Sequence, residues 1–513
     1  MKIVTVEQMR ALEQEAVAHG FSQRQMMINA GIGLSFGVLA NFLETKNKVV
    51  LGLVGSGNNG GDTLIALTDL IERGWKAVAY LVKPRPKEDE WLLRFQRKGG
   101  KIFQVELDKE YSKLEEWLGK AEVILDGILG TGAHLPLEKT VVEVLNMVSA
   151  FPFLPYIIAV DCPSGVDCDS GQAAEECIPA DMTYCMEAVK AGLLRFPAFQ
   201  YVGELRVISL DLPEELPTWE KVHDLAIDAL LVESWMPDRP LDAHKGSFGT
   251  LMIAAGCSNF PGSVLLAGRG AYRAGVGLVR IAVPNSLPPA LAGYLPEATW
   301  LMLPQKDGAF SLDSLPLLLN NLEKVNALLI GPGWSQSESV SEFLQQLLKE
   351  AQLPPLVIDA DGLRHLAKIT DWYKKLPKGS VLTPHPGEMS ALTGMDIASI
   401  QADRMETARK FAVQWGQVVL LKGALSVVAS PQGQVMVVPV ATPALARAGT
   451  GDVLAGMLAA FIAQGMESFQ AAAAAAWVHA RAGQMAAEEL FTTASVLASD
   501  VIEFIPQAIS LVT

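Results

Sequence analysis

Ala448-Gly449-Thr450-Gly451-Asp452, followed at once by Val453-Leu454-Ala455-Gly456-Met457-Leu458-Ala459-Ala460-Phe461-Ile462-Ala463, decides how the chain is read. Two glycines let the backbone turn tightly with its N–H groups free, and the apolar run behind them has the character of a buried helix whose N-terminus faces that turn. Such a place attracts phosphate, because the unsatisfied N–H groups and the helix dipole both favour an anion. A carboxylate at the mouth of an anion site is electrostatically wrong for plain phosphate binding. Asp452 is better suited to taking a proton from a substrate hydroxyl beside the phosphate, so the stretch points to chemistry on a hydroxyl group. A glycine turn with Asp452 as helix cap would account for the same residues without any chemistry.

Around this stretch lie 513 residues, long for one domain, so two or more cores are expected. Half the residues are hydrophobic and 19% are charged, a soluble α/β composition. A net charge of -15 would repel a phosphate backbone, which argues against nucleic acid as a partner. The N-terminus has no apolar core of signal-peptide length, and no apolar run reaches the ~20 residues of a membrane span, so no membrane partner and a cytoplasmic address are expected. The five cysteines, Cys162, Cys168, Cys177, Cys185 and Cys257, are odd in number and form no C-x-x-C pair. Neither a disulfide framework nor a zinc site is expected from them.

The first half repeats one device. Lys48 to Val54 has the pattern of a buried strand and runs into Gly55-Ser56-Gly57-Asn58-Asn59-Gly60-Gly61-Asp62; a helix is expected at about Thr63 to Arg73 and a second strand at Lys76 to Val82. Gly55, Gly57 and Gly60 satisfy the dinucleotide fingerprint, but Lys83-Pro84-Arg85 stands where an acid should follow, which disfavours a dehydrogenase. Two more strands, Glu122 to Asp126 and Tyr156 to Asp161, end in an acid and continue into Gly127-Ile128-Leu129-Gly130-Thr131-Gly132 and Cys162-Pro163-Ser164-Gly165. In a doubly wound parallel sheet such ends border one crevice, and the amide and carboxylate oxygens there suit a hard cation or ribose hydroxyls.

These three motifs, with Ala188-Val189-Lys190-Ala191-Gly192-Leu193 beyond them, resemble the NAD(P)H-hydrate epimerase domain of YjeF type, over residues 1–215. The resemblance implies a Rossmann-like αβα sandwich that interconverts the R and S hydrates of NADH and NADPH. It implies that Asn59, Asp126 and Ser164 hold K+. It also implies that Asn58, Asn59, Gly60, Gly61, Asp62, Gly130, Thr131, Gly132, Ala133, His134, Leu135, Pro136 and Asp161 contact the hydrate. Asp161 is the candidate acid/base, since epimerising that carbon requires proton transfer at its hydroxyl or at the ring nitrogen. Thr63 and Met186 depart from the family pattern, which has glycine and commonly an aromatic there.

A proline- and acid-rich stretch, Asp211 to Pro217, marks a boundary near 212–222. Beyond it strands and helices keep alternating, with polar motifs at the strand ends: His244-Lys245-Gly246-Ser247-Phe248-Gly249, Gly331-Pro332-Gly333, Asp359-Ala360-Asp361-Gly362-Leu363, Thr383-Pro384-His385-Pro386-Gly387-Glu388 and Leu421-Lys422-Gly423-Ala424. In this order, with the opening stretch, they resemble the ADP- or ATP-dependent NAD(P)H-hydrate dehydratase, a ribokinase-like α/β domain, over residues 222–513. The resemblance places Ser263, Gly333, His385 and Asp452 at the hydrate and Lys422, Gly423, Ala424, Leu425, Ser426 and Gly451 at the nucleotide. Ser263 replaces the usual alanine, and Leu425-Ser426 replaces Gly-Thr. The fused arrangement is the bacterial one and implies ADP as co-substrate, with Mg2+ on its phosphates; homo-oligomers are common in the family. Asp452 is then the catalytic base, and Asp161 its counterpart in the first half. The competing reading is a kinase of a small hydroxylated metabolite with a nucleotide-binding N-terminal half.

Overall fold

The computed structural model describes residues 1–350 and 352–513. The chain divides into two compact units, Met1–Asp224 and Leu225–Thr513. Residues 216–224, beyond the end expected for the first domain, contribute Leu216, Trp219 and Val222 to the first unit's core.

The first unit is built on seven parallel strands: β1 (Val49–Val54), β2 (Lys76–Leu81), β3 (Lys101–Gln104), β4 (Val123–Gly127), β5 (Tyr156–Val160), β6 (Met182–Met186) and β7 (Glu204–Ile208), in the order β3-β2-β1-β4-β5-β6-β7. Alternate residues of these strands enter different cores. Val50, Val54, Ala77, Ala79 and Val123 pack with helices Val6–Ala18, Gln23–Asn41 and Asn58–Glu72, whereas Leu51, Leu53, Val78, Tyr80 and Ile124 pack with Trp117 and helix Lys139–Ser149. A sheet buried on both faces needs apolar residues at every position, which is why β1 reads as the unbroken Val-Val-Leu-Gly-Leu-Val. The strand order reverses between β1 and β4, so a crevice opens at their carboxyl ends.

One expectation is corrected. The helix after β1 begins at Asn58, not near Thr63, so Asn58 to Asp62 are its first residues rather than a loop. Only Gly55 to Gly57 turn the chain; the two glycines behind them are tolerated because their side-chain space is occupied by neighbouring groups.

The second unit has a ten-stranded sheet. Its strands are β8 (Leu225–Ala226), β9 (Thr250–Ala254), β10 (Leu278–Pro284), β11 (Thr299–Leu303), β12 (Ala327–Ile330), β13 (Leu356–Ile358), β14 (Val381–Leu382), β15 (Val418–Leu421), β16 (Val427–Ala429) and β17 (Val435–Val437), in the order β8-β17-β16-β15-β14-β13-β12-β9-β10-β11. All pairings are parallel except those of β16 with its two neighbours. Helix Thr450–Ala463 is buried on nearly every side, as an apolar run without polar periodicity requires, and lies against helix Gly262–Arg273. Ala471 to Ala476 are buried within helix Ser468–Glu489, where small side chains permit close packing; among the described residues no helix is long and apolar enough to cross a membrane. All five cysteines are free and buried.

Candidate functional sites at the strand ends

In the first unit the expected residues converge at the carboxyl ends of β1, β4 and β5. Asn59 Nδ2 donates to Leu129 O at 2.8 Å and to Val160 O at 2.5 Å, so one amide ties the new helix to the ends of both other strands. Leu129 N donates to Ser164 Oγ at 3.0 Å, and Ser164 gives its hydroxyl to Asp126 Oδ1 at 2.6 Å and its N–H to Oδ2 at 2.8 Å. Asn59, Asp126 and Ser164 are therefore within one hydrogen-bonded cluster, all buried. Burial pushes the Asp126 carboxyl up, against the hydrogen bonds from Ser164. Its hydrogen-bond partners are neutral, and no basic side chain forms an ion pair with it among the described residues. A buried carboxylate surrounded by hydroxyl, amide and carbonyl oxygens is a donor set that fits a hard monovalent cation.

Asp161 stands at the end of β5 with φ +66°, a left-handed backbone that turns its carboxylate back toward β6. There Oδ1 accepts from Met186 N at 2.9 Å and forms an ion pair with Lys190, whose ammonium also donates to Met186 O at 2.9 Å. Lys190 is 1% exposed. Burial opposes its charge, but Asp161 outweighs it and holds the ammonium above its ordinary range. Asp62 is buried with Oδ1 unpartnered among the described residues; burial, reinforced by Asp161 and Glu13, pushes its carboxyl well above the ordinary value. Arg85 pins the turn from the other side, donating to Gly55 O at 2.6 Å and Gly57 O at 3.0 Å while paired with Asp89 at 2.8 Å.

The loop after β4 covers this end. Ala133 N closes a turn onto Gly130 O at 2.9 Å, Gly130 lies against the Asn59 amide, and Gly132, His134, Leu135 and Pro136 are exposed beyond Thr131, with a cis Leu135–Pro136 peptide. A cavity of about 700 Å³ lined by Val49, Trp75, Lys101 and Trp117 lies at the opposite, amino ends of β1 to β3 and shares no residue with this cluster.

In the second unit the polar residues follow the neighbouring strands β12 to β15. Lys422 Nζ lies 2.5 Å from Asp359 Oδ1, which also accepts from Thr383 Oγ1 at 2.8 Å, and 3.9 Å from Glu388 Oε2. Gly451, in the first turn of helix Thr450–Ala463, faces this pair: a side chain begun there would come within 3.5 Å of Lys422 Nζ and 3.9 Å of Asp359 Oδ2. Asp452 is next to it, and burial, with Asp359 and Asp361 nearby and only Lys422 opposing, raises its carboxyl to about 7. A carboxyl that titrates there can take up and release a proton at neutral pH.

His385 is held otherwise than a free base. Its Nδ1 accepts from Gly387 N at 3.0 Å and Glu388 N at 3.3 Å, capping helix Pro386–Thr393, while Nε2 faces Glu388 Oε1 at 3.2 Å. Burial and the nearby cations Lys422 and Arg364 pull it below the usual histidine value. Ser263 donates to Phe260 O at 2.9 Å, and its hydroxyl lies 2.2 Å from where a side chain at Gly333 would begin, so these two share a separate wall at the ends of β9 and β12. In Lys422 to Ser426, Gly423 and Ala424 are exposed, Ser426 donates to Gly423 O at 2.9 Å, and Leu425, at φ +55°, turns its side chain into the core, leaving backbone as what it presents to the loop.

Several participants have no local sequence signal that assigns them. Lys190 lies on the short strand Val189–Lys190, which pairs with Ile3–Val4, and reaches Asp161 across 29 residues. Asp359 and Glu388 belong to motifs already quoted, but their pairing with Lys422 depends on β13, β14 and β15 being neighbours.

A family model described as NAD(P)H-hydrate dehydratase matches residues 251–507, and one described as YjeF-related protein N-terminus matches residues 23–192. A bifunctional NAD(P)H-hydrate repair enzyme of Moorella thermoacetica is 34% identical, the alignment covering 99% of this chain and 96% of that one; one of Pyrobaculum aerophilum is 32% identical over 99% and 98%. A ribokinase-like superfamily protein from Enterococcus faecalis has a solved structure that superposes with a TM-score of 0.50 at 22% identity, over 57% of this chain and 97% of that one, which shows the fold of the second unit. The chain belongs to the family of bifunctional NAD(P)H-hydrate repair enzymes.

Proposed function

We propose that the first unit epimerises the R and S hydrates of NADH and NADPH and that the second dehydrates the S form at the expense of ADP, giving NAD(P)H, AMP and phosphate. The observation that carries the dehydratase reading is the position of Asp452: a carboxyl raised to about 7, in the first turn of a buried helix, beside Gly451 and facing Lys422. Hydroxide is a poor leaving group. Asp452 takes the proton from the hydrate's hydroxyl, the alkoxide attacks the terminal phosphorus of ADP, and AMP departs. The ring-nitrogen lone pair then expels phosphate, and loss of a proton from the adjacent carbon restores the dihydronicotinamide. The N–H groups of Gly449, Thr450 and Gly451 meet the charge that develops on the transferred phosphoryl group. Mg2+ supplies charge neutralisation on the nucleotide phosphates; among the described residues no cluster of three or more acidic, histidine or cysteine side chains stands ready to hold a metal alone, so it is read as arriving with the nucleotide.

In the first unit Asp161 moves the proton at the hydrate's hydroxyl, and Lys190 holds that carboxylate in place. Asn58 to Asp62 and Gly130 to Pro136 border the same crevice and are read as its hydrate contacts. K+ supplies a fixed positive charge there, held by Asn59, Asp126 and Ser164, whose oxygens suit it.

The test is recovery of reduced-nicotinamide absorbance when the purified chain meets mixed R and S NADH hydrate with ADP, with ATP and with neither. Complete recovery requiring ADP is expected. Recovery that stops at the S fraction would refute the epimerase assignment. A stable phosphorylated product would favour a small-metabolite kinase.

A further inference from the structure

Lys422, the cation that the nucleotide loop offers in sequence, is already ion-paired within the protein. Its ammonium is bonded to Asp359 at 2.5 Å and lies 3.9 Å from Glu388, with Asp361 and Asp452 adding negative charge nearby. An ADP anion entering this ground needs a positive group that no carboxylate has already claimed.

Arg404 is such a group. It opens helix Arg404–Trp415, and its guanidinium reaches back under the loop: Nη2 donates to Leu421 O at 2.9 Å and Nη1 to Gln401 Oε1 at 2.7 Å. No carboxylate bonds to it among the described residues, and its Nε is buried without any partner. Burial alone pulls it below the ordinary arginine value, to about 10, where it is still a cation at neutral pH. A part-buried guanidinium with no counter-ion is costly to hold, and three of its five N–H donors, the buried Nε among them, have no acceptor in these contacts. Gly423 is the residue that lets it sit there. The backbone at φ +150° has no side chain, and one begun at Gly423 would lie 3.0 Å from Nη2 and 3.1 Å from Nη1, so the two terminal nitrogens of the guanidinium come close to the exposed turn of the loop. Arg364 is exposed and acts on His385 and Glu388 instead.

We propose that Arg404 is the phosphate-recognising residue of the nucleotide site, a fork of N–H donors set beneath the Lys422–Ser426 loop to take the diphosphate of ADP. The inference rests on the dehydratase reading of the second unit and adds to it the group that distinguishes a nucleoside diphosphate from a nucleoside. Charge-assisted, two-pronged contacts of a guanidinium with phosphate oxygens are the geometry arginine supplies and lysine does not.

The experiment is calorimetric binding of ADP, AMP and adenosine to the full chain, as wild type, Arg404→Gln and Arg404→Lys, with epimerase rate as the control for folding of the rest of the molecule. Arg404→Gln is expected to weaken ADP about 10- to 100-fold, as loss of hydrogen bonds from a charged donor does. Adenosine affinity and epimerase rate stay unchanged, and Arg404→Lys recovers part of the ADP affinity. Equal losses for ADP and adenosine would overturn the inference, because they would show that Arg404 only shapes the loop. Unchanged ADP affinity in a folded Arg404→Gln variant would overturn it outright. Should the glutamine variant not fold, the lysine variant is read alone, and a loss for ADP without a loss for adenosine is again the supporting result. A wild-type chain that bound none of the three would sink the dehydratase reading itself.

Discussion

Replacing Asp452 with Asn should make the protein inactive as a dehydratase and more stable at the same time. In the folded chain Asp452 titrates at about 7, against an ordinary 3.8, because burial and the neighbouring carboxylates Asp359 and Asp361 outweigh Lys422. A displacement of that size is worth about 4 kcal/mol at 1.36 kcal/mol per pH unit. The sign follows from proton linkage. Between pH 3.8 and about 7 the folded state binds a proton that the unfolded chain has released, so this group's contribution to stability falls as pH rises through that window. Above pH 7 the full penalty is present; below pH 4 it has vanished. The amide carries no such penalty. Part of the gain is forfeited because Lys422 loses an attraction, which leaves a net stabilisation of about 1 to 3 kcal/mol at pH 8 that disappears toward pH 4. Denaturant titrations of wild type and Asp452→Asn at pH 8 and pH 4.5 measure it. In parallel, kcat/KM for dehydration of the S hydrate with ADP should rise with pH up to about 7 and level off in the wild type, and should be lower by about 10²- to 10⁴-fold in the variant. A variant that keeps wild-type turnover, or a wild-type profile flat from pH 5.5 to 8.5, would refute the assignment of Asp452 as base.

The first unit supports three further predictions. Lys190→Met keeps the side chain's length but strands Asp161 without its partner, so the first unit should lose about 3–5 kcal/mol and the epimerase its activity, with dehydration of pure S hydrate unchanged. Urea unfolding and the two separate activity assays read this out. Gly60→Ala would put a methyl 2.1 Å from Gly55 O and 2.7 Å from the Arg85 guanidinium, forcing the turn apart at about 1–3 kcal/mol; epimerase activity falls selectively, and an unaltered rate would show that the turn does not shape the site. Asp126→Asn removes the carboxylate from the oxygen cluster, so the dependence of epimerase rate on KCl should shift to at least tenfold higher concentration, whereas choline chloride at equal ionic strength has no effect on either protein.

Local sequence determined the two-unit α/β plan and which polar residues gather at the strand ends. Buried parallel strands must be apolar at every position, so polar residues are expelled to the strand ends, and Asn59, Asp126, Asp161, Asp359 and Lys422 become visible there as interruptions of apolar runs. The glycine turn before Asp452 was legible in part: Gly449, at φ +90°, turns the chain, but the helix already begins at Thr450, so Gly451 and Asp452 belong to its first turn and not to the loop. Where a helix takes over from a loop was not: Asn58 to Asp62 look like a loop because glycine and asparagine favour turns, yet they are helical, with the Asn59 amide tied to Leu129 O and Val160 O at the ends of the neighbouring strands. Only the tertiary structure decided which charge meets which. Lys190 reaches Asp161 from a two-residue strand that pairs with Ile3–Val4, Lys422 is claimed by Asp359 because β13, β14 and β15 are neighbours, and Arg404, beside Gly423, bonds to no acid among the described residues. Pairing of charges depends on distances across the sheet, and those are set by strand order and burial, which no local stretch of sequence contains.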